Sequence, residues 1–222
     1  MQVYMKQTQA KNLVLFSMFS AIILLLAFTP IGFLQLGFIK ATIIHIPVII
    51  GSILLGPKIG SGLGFMFGVT SLISNTVSPA ISSFAFSPFI PVPGLFHGSP
   101  WALLICFVPR ILVGIVPWFV YQLLHKLTKD KFDFIALAAA GVCGSMTNTL
   151  LVMHLIYFLF QDEYAAVQGA AQNAAYGIIT AVIVGNGVPE AIAACILTTL
   201  ICKALFTVFG NARAVHYNEH TT

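Results

Sequence analysis

One charge inside a membrane-length apolar run constrains this chain more than any other feature. Residues Trp101 to Leu124 read WALLICFVPRILVGIVPWFVYQLL, and Arg110 is the one ionised side chain among them. Placing arginine at a bilayer centre costs about 2.5–3.5 kcal/mol on insertion scales, so such a residue normally faces a cavity or a partner rather than lipid. Pro109 sits directly before it. Proline has no N–H, and its ring clashes with the carbonyl four residues back, here Ile105, so the helix is expected to loosen at this level. A freed carbonyl beside a guanidinium is the beginning of a polar pocket. The competing reading is structural: Arg110 ties two helices together through carbonyls or through Glu190. The usual role of intramembrane charges favours the ligand site.

The rest of the chain suits a membrane setting. It is 59 % hydrophobic and 7 % charged over 222 residues, with mean hydropathy +0.98. That composition excludes a soluble domain and indicates a polytopic membrane protein. The net charge of +4 comes from lysines in short loops. There is no basic run, and nothing indicates a nucleic-acid partner. Cys106, Cys143, Cys195 and Cys202 lie in apolar runs without a CxxC pair, so they read as small buried hydrophobes and no metal is expected. The first apolar run is too long for a cleavable signal peptide and lacks a small-x-small end.

A bilayer span needs about 20 mostly apolar residues. Six stretches qualify or come close: Asn12–Phe28, Ala41–Leu55, Ile59–Ile73, Trp101–Leu124, Phe134–Phe160 and Pro189–Phe209. Tyr164–Val184 is a seventh candidate that carries Gln168, Gln172 and Asn173. Lys and Arg concentrate in cytoplasmic loops. Six spans with the N-terminus inside place Lys6, Lys11, Lys58, Lys126, Lys129, Lys131, Lys203 and Arg213 on that side and only Lys40 outside. A seventh full span would move Lys203 and Arg213 out. Tyr164–Val184 therefore reads as an outer-leaflet dip or a continuation of its neighbours. The expected fold is an all-α integral membrane bundle of six transmembrane helices, both termini cytoplasmic, forming one domain over residues 1–222.

Several local patterns carry a mechanism. Gly60, Gly64 and Gly68 recur every four residues, which makes a smooth helix face for another backbone. Ser17 and Ala21 give the first span a small-xxx-small face. Asn148 stands between Thr147 and Thr149 in the fifth span. Three adjacent side chains cannot share one helix direction, so at least one points into the bundle. In Asn186-Gly187-Val188-Pro189-Glu190, proline suits a first helical turn and the carboxylate suits a helix N-terminus. Alternatively, Asn186 and Glu190 face a pocket open to the outside. Asn75 to Ser99 is an uncharged outer loop with Pro79, Pro88, Pro91 and Pro93, long enough to serve as a lid. His45, His97 and His154 show no metal-binding spacing, and satisfied buried histidines are the expectation. No phosphate-binding GxxxxGK[ST] occurs, nor HExxH or GxSxG, so neither ATP hydrolysis nor these hydrolytic chemistries are expected of this chain.

Taken together, the small-xxx-small first helix, HIPVIIGSILLGPKIGSGLG, SNTVSPAISSFAFSPF, VPRILVG, SMTNTLLV and NGVPEAIAA resemble a substrate-binding (S) component of an energy-coupling factor (ECF) vitamin transporter, over nearly the whole length. The resemblance implies six helices, a vitamin bound near the outer face under the loops, and a bacterial cell membrane location. It also implies partners: a transmembrane T (coupling) component that docks on the Ser17 and Ala21 face, and two ATPase subunits. No cofactor is implied for this chain; ATP is used by the partner subunits of this ABC importer. The family's docking face is typically Ala-xxx-Ala, and Ser17 is a small departure from it.

Within the family the chain looks most like the pantothenate-specific members. Pantothenate is a small polar anion. Arg110 and Lys40 offer cations, and Asn148, Asn186 and Glu190 offer partners for its hydroxyls and amide. Asn75 and His45 complete the candidate substrate-binding set. The alternatives are an S component for pyridoxine, hydroxymethylpyrimidine or folate. From a different class, a small intramembrane enzyme would use Glu190 as base and Arg110 as anion clamp, but it lacks catalytic motifs. A self-sufficient secondary transporter often shows inverted repeats, and none is seen.

Overall fold

The structure, a computed structural model, describes residues 2–36, 39–128, 133–169 and 175–209. The helices are α1 (Gln2–Phe28), α2 (His45–Leu55), α3 (Pro57–Val77), α4 (Trp101–Val113), α5 (Val116–Leu127), α6 (Asp133–Val167), α7 (Ala175–Val182) and α8 (Val188–Phe209). A hairpin of β1 (Phe33–Leu36) and β2 (Ile39–Thr42) joins α1 to α2, with Phe33 opposite Thr42 and Leu36 opposite Ile39. Among the described residues four helical stretches are long and apolar enough to cross a membrane: Gln9–Phe28, Trp101–Leu127, Asp133–Val167 and Ala175–Thr207. The protein is a membrane protein built around them.

The two remaining rods depart from that pattern for different reasons. Helix α2 is apolar but has only 11 residues, because Ala41 and Thr42, expected to open the span, pair with β1 instead. Nine of its residues, His45 to Ile53, are buried, as expected of a helix hydrophobic on all sides. Helix α3 has 21 residues, but its glycines, serines and threonines lower its hydropathy. It starts on Pro57, a residue preorganised for the first turn.

The run from Trp101 breaks, though not where Pro109 suggested. Helix α4 continues through Pro109, and the interruption comes at Gly114 and Ile115. There Gly114 N bonds Ile111 O at 3.0 Å and Ile115 N bonds Leu112 O at 3.0 Å, the tight spacing of a closing helix. Pro117 then opens α5. Helix α6 bends at Phe160, whose φ of −145° and ψ of 30° are non-helical.

The stretch read as Tyr164–Val184 continues its neighbours at both ends. Its first residues are the tail of α6, and its last belong to α7 and to a π turn, Ile183–Gly187, that runs into α8. Gln172 and Asn173 lie outside the described residues, as do Lys129, Lys131 and Arg213. Pro189, four residues after Gly185, has no N–H for that carbonyl and its ring crowds it, which favours the wider spacing of a π turn.

The glycine ladder meets an internal neighbour. Side chains at Gly60 and Gly64 would collide with the carbonyls of Gly114 and Arg110, and one at Gly68 would reach within 2.7 Å of Phe107. The contacts step along α4 in register with the ladder, so α3 and α4 pack backbone to backbone at the level of Arg110.

Candidate functional site

At the end of the bundle that carries the hairpin, a cavity of about 200 Å³ is lined by Ala27, Thr42, Ile44, Phe67, Thr70, Ser71, Ser74, Asn75, Arg110, Asn148 and Glu190. One face of α3 supplies five of these at helical spacing: Phe67, Thr70, Ser71, Ser74 and Asn75. By the same spacing the glycine ladder, Gly60, Gly64 and Gly68, lies on an overlapping face of this helix, mostly nearer its N-terminus. Close packing of α3 on α4 therefore brings the polar face of α3 beside Arg110.

Arg110 is 6 % exposed. Its Nη1 donates to the carbonyl of Ile105 at 2.8 Å, the carbonyl that Pro109 deprives of its helical donor. The guanidinium carbon lies 5.5 Å from the Phe67 ring centroid and 5.0 Å from that of Phe86, within cation–π range. Nε is buried with no hydrogen-bond partner. Asn148, which lines the same cavity, likewise has a buried Oδ1 without a partner. Buried polar groups are usually satisfied by protein or by something bound. Two unsatisfied atoms on residues lining one cavity point to a polar ligand there.

Glu190 is held differently. Its Oε1 accepts from the Thr42 backbone N–H at 2.7 Å, and its Oε2 accepts from the Thr149 hydroxyl at 3.4 Å. No ion pair joins it to Arg110 among the described residues. The first bond ties β2 to α8, so the carboxylate anchors the hairpin at the cavity wall. Helix α8 begins without a free N-terminus, because the π turn leads into it. Gly187 in that turn packs so closely that a side chain there would come within 2.8 Å of Thr149.

The loop after α3 is folded down over this region. Ser83 Oγ donates to Asn75 Oδ1 at 2.7 Å, and Thr76 and Ser87 hydroxyls lie 2.7 Å apart. Phe84 is buried and meets Phe160 edge-on at 5.7 Å between centroids.

The structure thus gathers Arg110, Asn148, Glu190 and Asn75 around one space. Asn186 is half-buried on the π turn, outside the cavity lining, and His45 is buried one residue beyond Ile44, also outside it. Neither ring nitrogen of His45 has a partner, so it is not the satisfied histidine that was expected. The Lys40 side chain lies outside the described residues; its backbone pairs with Gln35. Ser17 and Ala21 are both exposed on α1. Among the described residues no three His, Cys, Asp or Glu side chains converge as a metal site. Thr42, Phe67 and Phe86 were not anticipated. Thr42 sat inside a presumed span, and the two phenylalanines are among 19 in the chain.

Comparison with known proteins gives a consistent answer. A family model described as "ECF transporter, substrate-specific component" matches residues 11–202. The "Pantothenic acid transporter PanT" of Lactococcus lactis subsp. cremoris is 38 % identical over 210 residues, covering 94 % of this chain and 100 % of that protein. The "Pantothenate transporter PanT" of Leuconostoc mesenteroides subsp. mesenteroides is 27 % identical over 213 residues, covering 94 % and 98 %.

Proposed function

The chain belongs to the ECF transporter substrate-specific component family, and from that premise we propose that it captures pantothenate for uptake in the cavity beside Arg110. The observation that carries this reading is a buried arginine in the cavity lining whose Nε has no hydrogen-bond partner. Pantothenate has a carboxylate at one end and hydroxyls at the other, with an amide between. Arg110 takes the carboxylate in a charge-assisted bond. Asn148, Asn75 and the fixed oxygens of Glu190 serve the amide and hydroxyls. The 38 % identical relative carries pantothenic acid in its name, which agrees with this chemistry.

The chain acts as a binding subunit, not an enzyme, and needs no cofactor of its own. A transmembrane T component docks on the exposed Ser17 and Ala21 face of α1, and two ATPase subunits supply ATP hydrolysis. The lysine distribution supports six crossings, both termini in the cytoplasm, in a bacterial cell membrane. That orientation puts the cavity at the outer face. A cysteine at Gly94, where a side chain meets nothing within 4 Å, should then react with an impermeant reagent in intact cells, whereas one at Lys129 should not.

The direct test is to incubate the purified protein with pantothenate, pyridoxine and folate and to analyse the retained ligand by mass spectrometry. Stoichiometric retention of intact pantothenate is expected. Retention of another vitamin instead, or appearance of a product, would refute the reading.

A further inference from the structure

A guanidinium recognises a carboxylate by the direction of its fork as well as by its charge. Three contacts set that direction here. Nη1 is fixed to the Ile105 carbonyl. The guanidinium carbon lies over the ring of Phe67 of α3, 5.5 Å from its centroid, and over a second ring, Phe86, at 5.0 Å. The first two partners come from α4 and α3, which the glycine ladder locks together. The third comes from the loop between α3 and α4. That loop is clasped to the last turns of α3 at two points flanking Phe86 in sequence, Ser83 on Asn75 and Ser87 on Thr76. Asn75 also lines the cavity.

We propose that Phe86 is a positioning residue: the ring, seated by the Asn75–Ser83 and Thr76–Ser87 bonds, orients the Arg110 guanidinium toward a ligand carboxylate. Seating of the loop and recognition of the carboxylate are thereby coupled. This inference rests on the reading of Arg110 as the carboxylate site. The ring acts through its negative face, which leucine lacks and tyrosine keeps. A ring that merely packed as part of a cover would favour every ligand alike.

The test compares two ligands by calorimetry: pantothenate, and the neutral analogue in which a primary alcohol replaces the carboxylate. The unaltered protein should prefer pantothenate; equal affinity for the two would overturn the Arg110 reading itself. Given that preference, Phe86→Leu should reduce it by about fivefold, the size of a partly desolvated cation–π contact. The loss should fall on pantothenate and leave the alcohol unchanged, and Phe86→Tyr should restore it. Equal weakening of both ligands, or an undiminished preference, would overturn the assignment of Phe86 while leaving Arg110 in place. Should Phe86→Leu prove too unstable to measure, Ser87→Ala carries the same test by loosening the clasp with the ring intact. It should lower the preference in the same direction, and an unchanged preference would overturn the proposal.

Discussion

Glu190 and Arg110 line the same cavity, 8 % and 6 % exposed, but the protein treats the two charges differently. Both carboxylate oxygens of Glu190 are occupied, by the Thr42 N–H and the Thr149 hydroxyl. Arg110 has one bond to its own helix, two aromatic neighbours and an unpartnered Nε. A buried charge left incomplete is costly unless something completes it. The contrast separates two roles that a bare list of polar residues would merge. Glu190 holds the hairpin against α8 and presents an acceptor already in place. Arg110 is held in position with bonding capacity in reserve, as a site for an anion requires.

The largest effect that would sharpen this contrast lies beneath Arg110. Gly64→Leu would drive a branched side chain into the Arg110 carbonyl. Loss of folded protein is expected, read as collapse of monodisperse yield on size-exclusion chromatography. Normal yield and binding would mean that α3 and α4 do not meet as described. Next in size is removal of the Glu190 anchor. Glu190→Ala leaves the Thr42 N–H without its partner, at a cost of about 1–3 kcal/mol. Amide exchange at Thr42 should accelerate while the helices stay protected. Unchanged exchange would show that the carboxylate is not what holds the hairpin. Glu190→Gln should be milder, changing pantothenate affinity by about threefold or less, because the amide keeps an acceptor for Thr42. A loss as large as that at Arg110 would erase the distinction between the two charges. Smallest is Thr149→Val. It removes a long bond of 3.4 Å and should lower stability by no more than about 1 kcal/mol in a denaturation series.

Much of the arginine side was legible in sequence because its signals are local. A lone charge in an apolar run marks itself, Pro109 names the carbonyl it frees, and a four-residue glycine repeat announces close packing. The sequence did not say that the ladder's neighbour is α4. The glutamate side was harder. Its main partner is a backbone N–H 148 residues away in sequence, on a strand whose last two residues, Ala41 and Thr42, run straight into the apolar stretch of α2. Periodicity cannot separate a short apolar strand from the start of a buried helix. Asn186 and Glu190, four apart, would share a face in a regular α-helix, but the π turn at Ile183–Gly187 alters that spacing, and only Glu190 lines the cavity. The break in the fourth span moved from Pro109 to Gly114 because the Arg110 side chain satisfies the freed carbonyl and the helix can continue.

Titration calorimetry of pantothenate into Arg110→Ala, with thermal stability measured alongside, tests the account most directly. Removing one member of a partly desolvated charge pair costs on the order of 2–5 kcal/mol. The variant should therefore remain folded at close to the unaltered melting temperature and bind pantothenate more than about tenfold more weakly. Arg110→Lys should recover only part of the loss, since a point charge cannot reproduce the fork. A well-folded Arg110→Ala protein that binds pantothenate with unaltered affinity would contradict the account, because the incomplete charge would then not be the anion site.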